Sequence, residues 1–233
     1  MKIAGFIRTT MLDWDGMVAC TIYLAGCDFR CPYCHNKSIV VDADDAEEMD
    51  EERIFNFIQE NSDFLDGVVI SGGEPTLNSD LPVLIRRLRG MGMKIKLDTN
   101  GYHPDVLEDL IGAGYIDKVA MDIKAPLTRE RYSAVAGTDI NPDILRRSIR
   151  IIMESGIDYE FRTTCSPILI KPEDIDEIGK EIRGARNYNI QQFRPKICLD
   201  ERLEVIDPYK ESVILQMAET ARKYARNVRV RGL

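Results

Sequence analysis

An apolar run, a polar or glycine-containing turn and an amphipathic segment follow one another repeatedly along this chain, and few folds accommodate that alternation. The runs Val18–Gly26, Gly67–Ile70, Met93–Leu97, Lys118–Met121, Asp158–Thr164 and Ile190–Phe193 read as strands. Segments near 50–62, 79–89, 104–111, 141–155, 172–182 and 208–224 read as helices between and after them. Their boundaries carry stop and start signals: Pro82 sits in a first turn, Gly90 and Gly92 follow a last one, and Asn141-Pro142 supplies a cap and a first helical residue. Strands that alternate with helices pair in parallel through right-handed crossovers. Six such units predict an α/β fold, a partial (β/α)6 TIM-like barrel formed by one domain over residues 1–233. A short N-terminal hairpin containing Phe6 and Trp14 would cover the first strand, and a last helix would lead into a strand at Val228–Arg231. A closed barrel of eight units takes ~250 residues, more than this chain has. An open doubly wound sheet is the competing architecture, favoured by a glycine-rich fingerprint after the first strand, which is missing here.

Partners and compartment follow from composition. The net charge is −8 with no long basic run, which argues against a nucleic-acid partner. An acidic stretch from Asp42 to Glu52 reads as a solvated loop leading into a helix. No run approaches the ~18 apolar residues of a membrane span, and the start Met1-Lys-Ile-Ala-Gly-Phe6 lacks a signal-peptide core. A cytoplasmic protein is expected, with its thiols reduced and available to metal.

Three of the six cysteines are clustered in Cys27-Asp-Phe-Arg-Cys31-Pro-Tyr-Cys34-His35-Asn36. A short loop of that spacing can aim three thiolates at one inorganic centre. In a four-iron cluster, three thiolates leave one iron free to bind another ligand. The alternatives are a closed zinc site through Cys27, Cys31, Cys34 and His35, in which adjacent Cys34 and His35 close a tetrahedron poorly, and disulfides, which leave one cysteine over. His35 would shape the loop without being a ligand. Cys20, Cys165 and Cys198 stand alone and read as buried thiols, the last two near the active ends of their strands. With no second cysteine group, one cluster is expected. His103, just before Pro104, reads as a helix cap or an exposed side chain.

Other chemistry-bearing residues stand at or near the carboxyl ends of predicted strands: Ser71-Gly72-Gly73-Glu74, Asp98-Thr99-Asn100, Asp122-Ile123-Lys124, Arg162 and Arg194. In a parallel barrel those ends share one face, where active sites are built. Gly72 and Gly73 allow close backbone approach to a ligand. Glu74 could accept from an ammonium group, Asp98 and Asp122 could take ribose hydroxyls or a cation, and Lys124 and Arg162 suit a carboxylate.

These motifs, with Thr9–Gly16, Lys96–Gly101, Val119–Pro126, Tyr159–Thr164 and Gln191–Pro195, resemble the glycyl-radical-enzyme activases of the radical S-adenosylmethionine superfamily. The likeness is greatest to the longer activating proteins of anaerobic ribonucleoside-triphosphate reductase. The resemblance implies that Cys27, Cys31 and Cys34 hold one 4Fe-4S cluster whose open iron is chelated by S-adenosylmethionine. Gly72, Gly73 and Glu74 would meet the amino group, and Asp122, Lys124 and Arg162 the ribose or carboxylate, with Asp98 and Asn100 beside them. Asp98, Thr99 and the Ala120 carbonyl match a monovalent-cation site of pyruvate formate-lyase activase. By the same resemblance, a flavodoxin- or ferredoxin-type donor reduces the cluster. Cleavage of S-adenosylmethionine then gives a 5'-deoxyadenosyl radical that takes hydrogen from one glycine of a partner reductase. Activation of pyruvate formate-lyase or another glycyl radical enzyme, a small-molecule reaction such as that of carboxy-deazaguanine synthases, and a non-catalytic metal-binding regulator are the alternatives.

Overall fold

The computed structural model describes residues 1–41, 43 and 45–233, so the acidic stretch from Asp42 to Glu52 lies partly outside the described residues. Its end is helical: Asp50 caps α2 (Glu51–Glu60) by accepting from the Glu52 and Arg53 amides.

One eight-stranded sheet organises the chain, in the order β1-β2-β3-β4-β5-β6-β7-β8. Its strands are β1 (Ile3–Thr10), β2 (Ala19–Leu24), β3 (Gly67–Gly72), β4 (Lys94–Thr99), β5 (Lys118–Asp122), β6 (Asp158–Cys165), β7 (Ala185–Gln192) and β8 (Ala225–Arg231). β1 is antiparallel to β2, and every later pair is parallel. A parallel order that never reverses, joined by right-handed crossovers, leaves all the crossover helices on one face. The winding is therefore that of an open barrel rather than a doubly wound sheet.

Side-chain alternation divides the two faces. Cys20, Ile22 and Leu24, Val68 and Ile70, Ile95 and Leu97, Val119 and Met121, and Tyr159 and Phe161 enter one hydrophobic core with the helices. Ile54, Phe55 and Ile58 of α2 face them, as do Leu81, Leu84, Ile85 and Leu88 of α3 (Leu81–Gly90) and Leu145, Ile149 and Ile152 of α6 (Pro142–Glu154). The alternate positions Lys96, Asp98, Lys118, Asp122, Glu160 and Arg162 face the lumen, which is consequently polar. Among the described residues, no helix is long and apolar enough to cross a membrane.

Several boundaries differ from expectation. β7 begins at Ala185, five positions before Ile190. The C-terminal strand pairs in parallel with β7, adding a seventh parallel strand to the six expected. The N-terminal hairpin does not lie over the first strand: β1 extends the sheet beside β2, while Trp14, in their connection, packs on Ala19 and Val69. Short α1 (Lys37–Val40) and α5 (Arg129–Ala136) were not foreseen. Helices α4 (Pro104–Gly112), α7 (Asp174–Glu181) and α8 (Glu211–Ala221) complete the set. The β1–β2 connection and β8 approach each other from opposite ends of the chain, with Asp15 ion-paired to Arg229 and Arg231.

Candidate active site

The cysteine loop leaves the carboxyl end of β2 and is fastened on every side. Asn36 donates its side-chain amide to the Gly72 carbonyl at 2.6 Å, and His35 Nδ1 pairs with the Lys196 carbonyl at 2.7 Å. The Arg30 amide donates to Ala136 at the end of α5 at 2.7 Å, and the Asp200 amide to the Pro32 carbonyl at 2.9 Å. Asp28 accepts from Asn100 Nδ2 at 2.8 Å and His103 Nε2 at 2.9 Å. His103 thus stands at the N-cap position of α4 without a side-chain capping bond, and its ring serves the cysteine loop instead. The bond to Asp28 raises its pKa above the ordinary imidazole value.

All six cysteines are free thiols, so the disulfide alternative has no counterpart. Among the described residues no three His, Cys, Asp or Glu side chains stand together as ligands of a single metal ion. Burial pushes the Cys27 thiol up to about 12 and the Cys31 thiol up to about 11. A metal centre binding there would release their protons. Cys20, Cys165 and Cys198 are fully buried and do not line the cavity described below.

The glycine turn after β3 is pressed against this loop. The Gly73 amide donates to the Leu24 carbonyl at 2.9 Å and the Glu74 amide to the Gly26 carbonyl at 2.8 Å. A Cβ on Gly73 would stand 2.0 Å from the Gly26 oxygen and 3.2 Å from the Cys27 Cβ, so only glycine fits. The Glu74 carboxylate points inward and is fully buried. Its Oε1 accepts from the Thr76 amide and hydroxyl and from the Thr99 hydroxyl, and its Oε2 from the Asn100 amide at 2.6 Å. Burial raises its pKa, and these bonds only partly oppose that.

Charged groups from neighbouring strands face one another across the lumen. Arg162 donates from Nε to Asp122 at 2.7 Å and reaches Asp98 at 3.1 Å, while Lys124 Nζ lies 3.1 Å from Asp122. Burial alone would raise the Asp122 pKa, but Arg162 and Lys124 outweigh it and hold the carboxyl at about 2. Lys96 stands 3.3 Å from the other Asp98 oxygen.

One cavity of about 520 Å³ gathers Cys27, Cys31, Cys34, Gly72, Gly73, Asp98, Thr99, Asn100, Asp122, Lys124, Arg162 and Arg194. Glu74 and Ala120 do not line it. Asp98 and Thr99 turn their side chains to opposite faces of β4, Asp98 toward Arg162 and Thr99 toward Glu74. Asp13, Gln191 and Arg231 also line the cavity, the first two within the Thr9–Gly16 and Gln191–Pro195 motifs, where the sequence assigns them no role of their own. The Val228-Arg229-Val230-Arg231 alternation could have put both arginines on the inner face; within the Thr9–Gly16 motif nothing sets Asp13 apart from Asp15.

A family model for the radical SAM superfamily matches residues 21–183. The chain belongs to that superfamily. Membership makes it an enzyme and implies a 4Fe-4S cluster and S-adenosylmethionine; three unpaired thiols and a side-chain-free glycine cradle on one cavity fit both. A protein of Methanocaldococcus jannaschii, provisionally named a glycyl-radical enzyme activating enzyme, is 36% identical over 237 residues, covering 99% of this radical SAM chain and 96% of its own. A second protein of that organism with the same provisional name is 29% identical over 89% of this chain and 78% of its own. Among solved structures, Streptococcus suis SuiB bound to S-adenosylmethionine matches with a TM-score of 0.66 at 19% identity, over 91% of this chain and 50% of that one. This chain therefore spans about half the length of that structure, and the likeness extends to the fold alone.

Proposed function

We propose that this radical SAM enzyme installs a glycyl radical on a partner enzyme, and that the partner is an anaerobic ribonucleoside-triphosphate reductase. The observation that carries the activase reading is the end-to-end match with a relative of that provisional name, in which almost nothing of either chain is left over. The choice of reductase rests on the resemblance of Thr9–Gly16 and the other quoted motifs to the longer activating proteins of that reductase.

In this reading Cys27, Cys31 and Cys34 hold the cluster, and the cluster with S-adenosylmethionine supplies reductive cleavage of a sulfonium bond. The Gly72–Gly73 backbone receives the amino group, because no side chain intervenes. Glu74 acts from behind, fixing the turn against Thr99 and Asn100. Lys124 and Arg162 are already oriented by Asp122, so they meet a carboxylate or ribose with little reorganisation. Asn100 ties the Asp28 side of the cysteine loop to this wall. The monovalent cation is left out: Lys96 and Arg162 already balance Asp98. A flavodoxin- or ferredoxin-type protein would donate the electron, in the cytoplasm.

The test is anaerobic. Reconstituted protein, S-adenosylmethionine, a low-potential reductant and the cognate reductase are mixed and examined by electron paramagnetic resonance. A glycyl radical doublet dependent on all four supports the proposal. Cofactor cleavage without any protein radical would move the substrate to another class.

A further inference from the structure

The Asp28–His103 pair is not accounted for by loop architecture alone, because it stands against a ligating sulfur. Asp28 Oδ1 lies 3.9 Å from Cys27 Sγ. The same sulfur accepts the Phe29 amide at 3.4 Å. Asp28 is also among the charges that act on the Cys27 thiol, with Glu74 and Lys124. Of these, Glu74 is enclosed by its own four donors and Lys124 is paired to Asp122. The Asp28 carboxylate is balanced from one side by Asn100 and from the other by His103, whose ring comes from the start of α4, 75 positions away in sequence. Both partners are about three-quarters shielded from solvent, at 23% and 28% exposure, so their charge is only partly screened.

We propose that Asp28 and His103 set the reduction potential of the cluster held by Cys27, Cys31 and Cys34, with Asp28 lowering it and His103 offsetting that effect. This rests on the cluster assignment and is independent of which substrate the enzyme uses. The physical basis is that cluster potential follows the local charge and the hydrogen bonds to the ligating sulfurs. An anion beside Cys27 disfavours the added electron; a donor on that anion draws its charge away. A loop brace alone would not give two variants with shifts of opposite sign.

The experiment compares midpoint potentials of the reconstituted wild type, D28N, H103A and H103Q by spectroelectrochemical titration. D28N should shift positive, H103A negative, and H103Q, which keeps an N–H donor, should stay near the wild type. Shifts of the same sign in D28N and H103A, or no shift in either, overturn the proposal. Loss of cluster uptake in both also overturns it, in favour of a purely architectural role. A wild type that takes up no iron overturns the cluster assignment, and the pair's role with it.

Discussion

A carboxylate cut off from solvent must find its donors within the chain, and Glu74 finds them on two segments, Thr76 just after it and Thr99–Asn100 at the end of β4. The motif around Glu74 was legible in the sequence; the direction of its side chain was not, since a glycine turn permits either side. Replacing Glu74 by Gln puts an amide N–H against one of those donors, an unmet contact that costs about 1–3 kcal/mol. The ligand-free E74Q protein should therefore unfold at lower denaturant than the wild type. An unchanged midpoint, with weakened cofactor binding alone, would return Glu74 to the ligand-contacting role read from sequence. Gly73 and Gly90 make a second contrast. G73A forces a Cβ against the Gly26 carbonyl and should cost about 1–3 kcal/mol. G90A, in the last turn of α3 with nothing within 4 Å, should gain up to about 1 kcal/mol from helix propensity. Equilibrium denaturation of the two variants reads both signs at once.

Elements with an apolar face were the legible ones, and those facing the polar lumen or lacking an amphipathic pattern were not. The central strands appear in the sequence because Val68–Ile70, Ile95–Leu97 and Val119–Met121 lie among buried residues. The first half of β7, Ala185-Arg-Asn-Tyr-Asn189, lacks that run because Asn187 and Asn189 alternate with the core-facing Tyr188. Helix α5 was missed for a different reason: its buried stripe, Tyr132, Val135 and Ala136, is a single turn long and follows three charged residues, Arg129, Glu130 and Arg131, too short a run to show a helical period. Yet α5 matters to the site, because its αL cap Gly137 lies against Arg30 of the cysteine loop. A Cβ at Gly137 would stand 2.2 Å from the Arg30 carbonyl, whereas Gly156, also at positive φ, has nothing within 4 Å. G156A should cost only the left-handed penalty of about 1–2 kcal/mol. G137A adds a steric term and should cost about 2–4 kcal/mol in all. Amide exchange at Arg30, which donates to Ala136, should accelerate in G137A alone. Equal losses in both variants would show that α5 does not brace the loop.

Across the whole molecule the lumen is held by alternating charges where many barrels stack apolar layers. Lys118 meets Glu160 at 3.2 Å, Glu160 meets Lys96 at 3.6 Å, Lys96 meets Asp98 at 3.3 Å, and Arg162 links Asp98 to Asp122. Arg231, from the far end of the chain, reaches Glu160 at 3.6 Å. Alternation brings β4, β5, β6 and β8 together only when every partner is ionised, so the fold should be sensitive to acid. Burial by itself would raise the Glu160 pKa, but Lys96, Lys118, Arg162 and Arg231 reverse that and hold it at about 2. A carboxyl whose folded pKa is depressed contributes stability above its unfolded value near 4.5, and loses it as pH falls toward 2. The depression corresponds to something on the order of 3 kcal/mol, the largest acid-linked contribution expected here beside that of Asp122. E160Q should be less stable than the wild type near neutrality, because it leaves Lys96 and Lys118 buried against a neutral amide. Its denaturation midpoint should also fall less steeply between about pH 5 and pH 2, so that the two curves converge in acid. Parallel curves, separated by a constant gap over that range, would mean that Glu160 contributes by shape and hydrogen bonding, and that the charge alternation does not hold the lumen together.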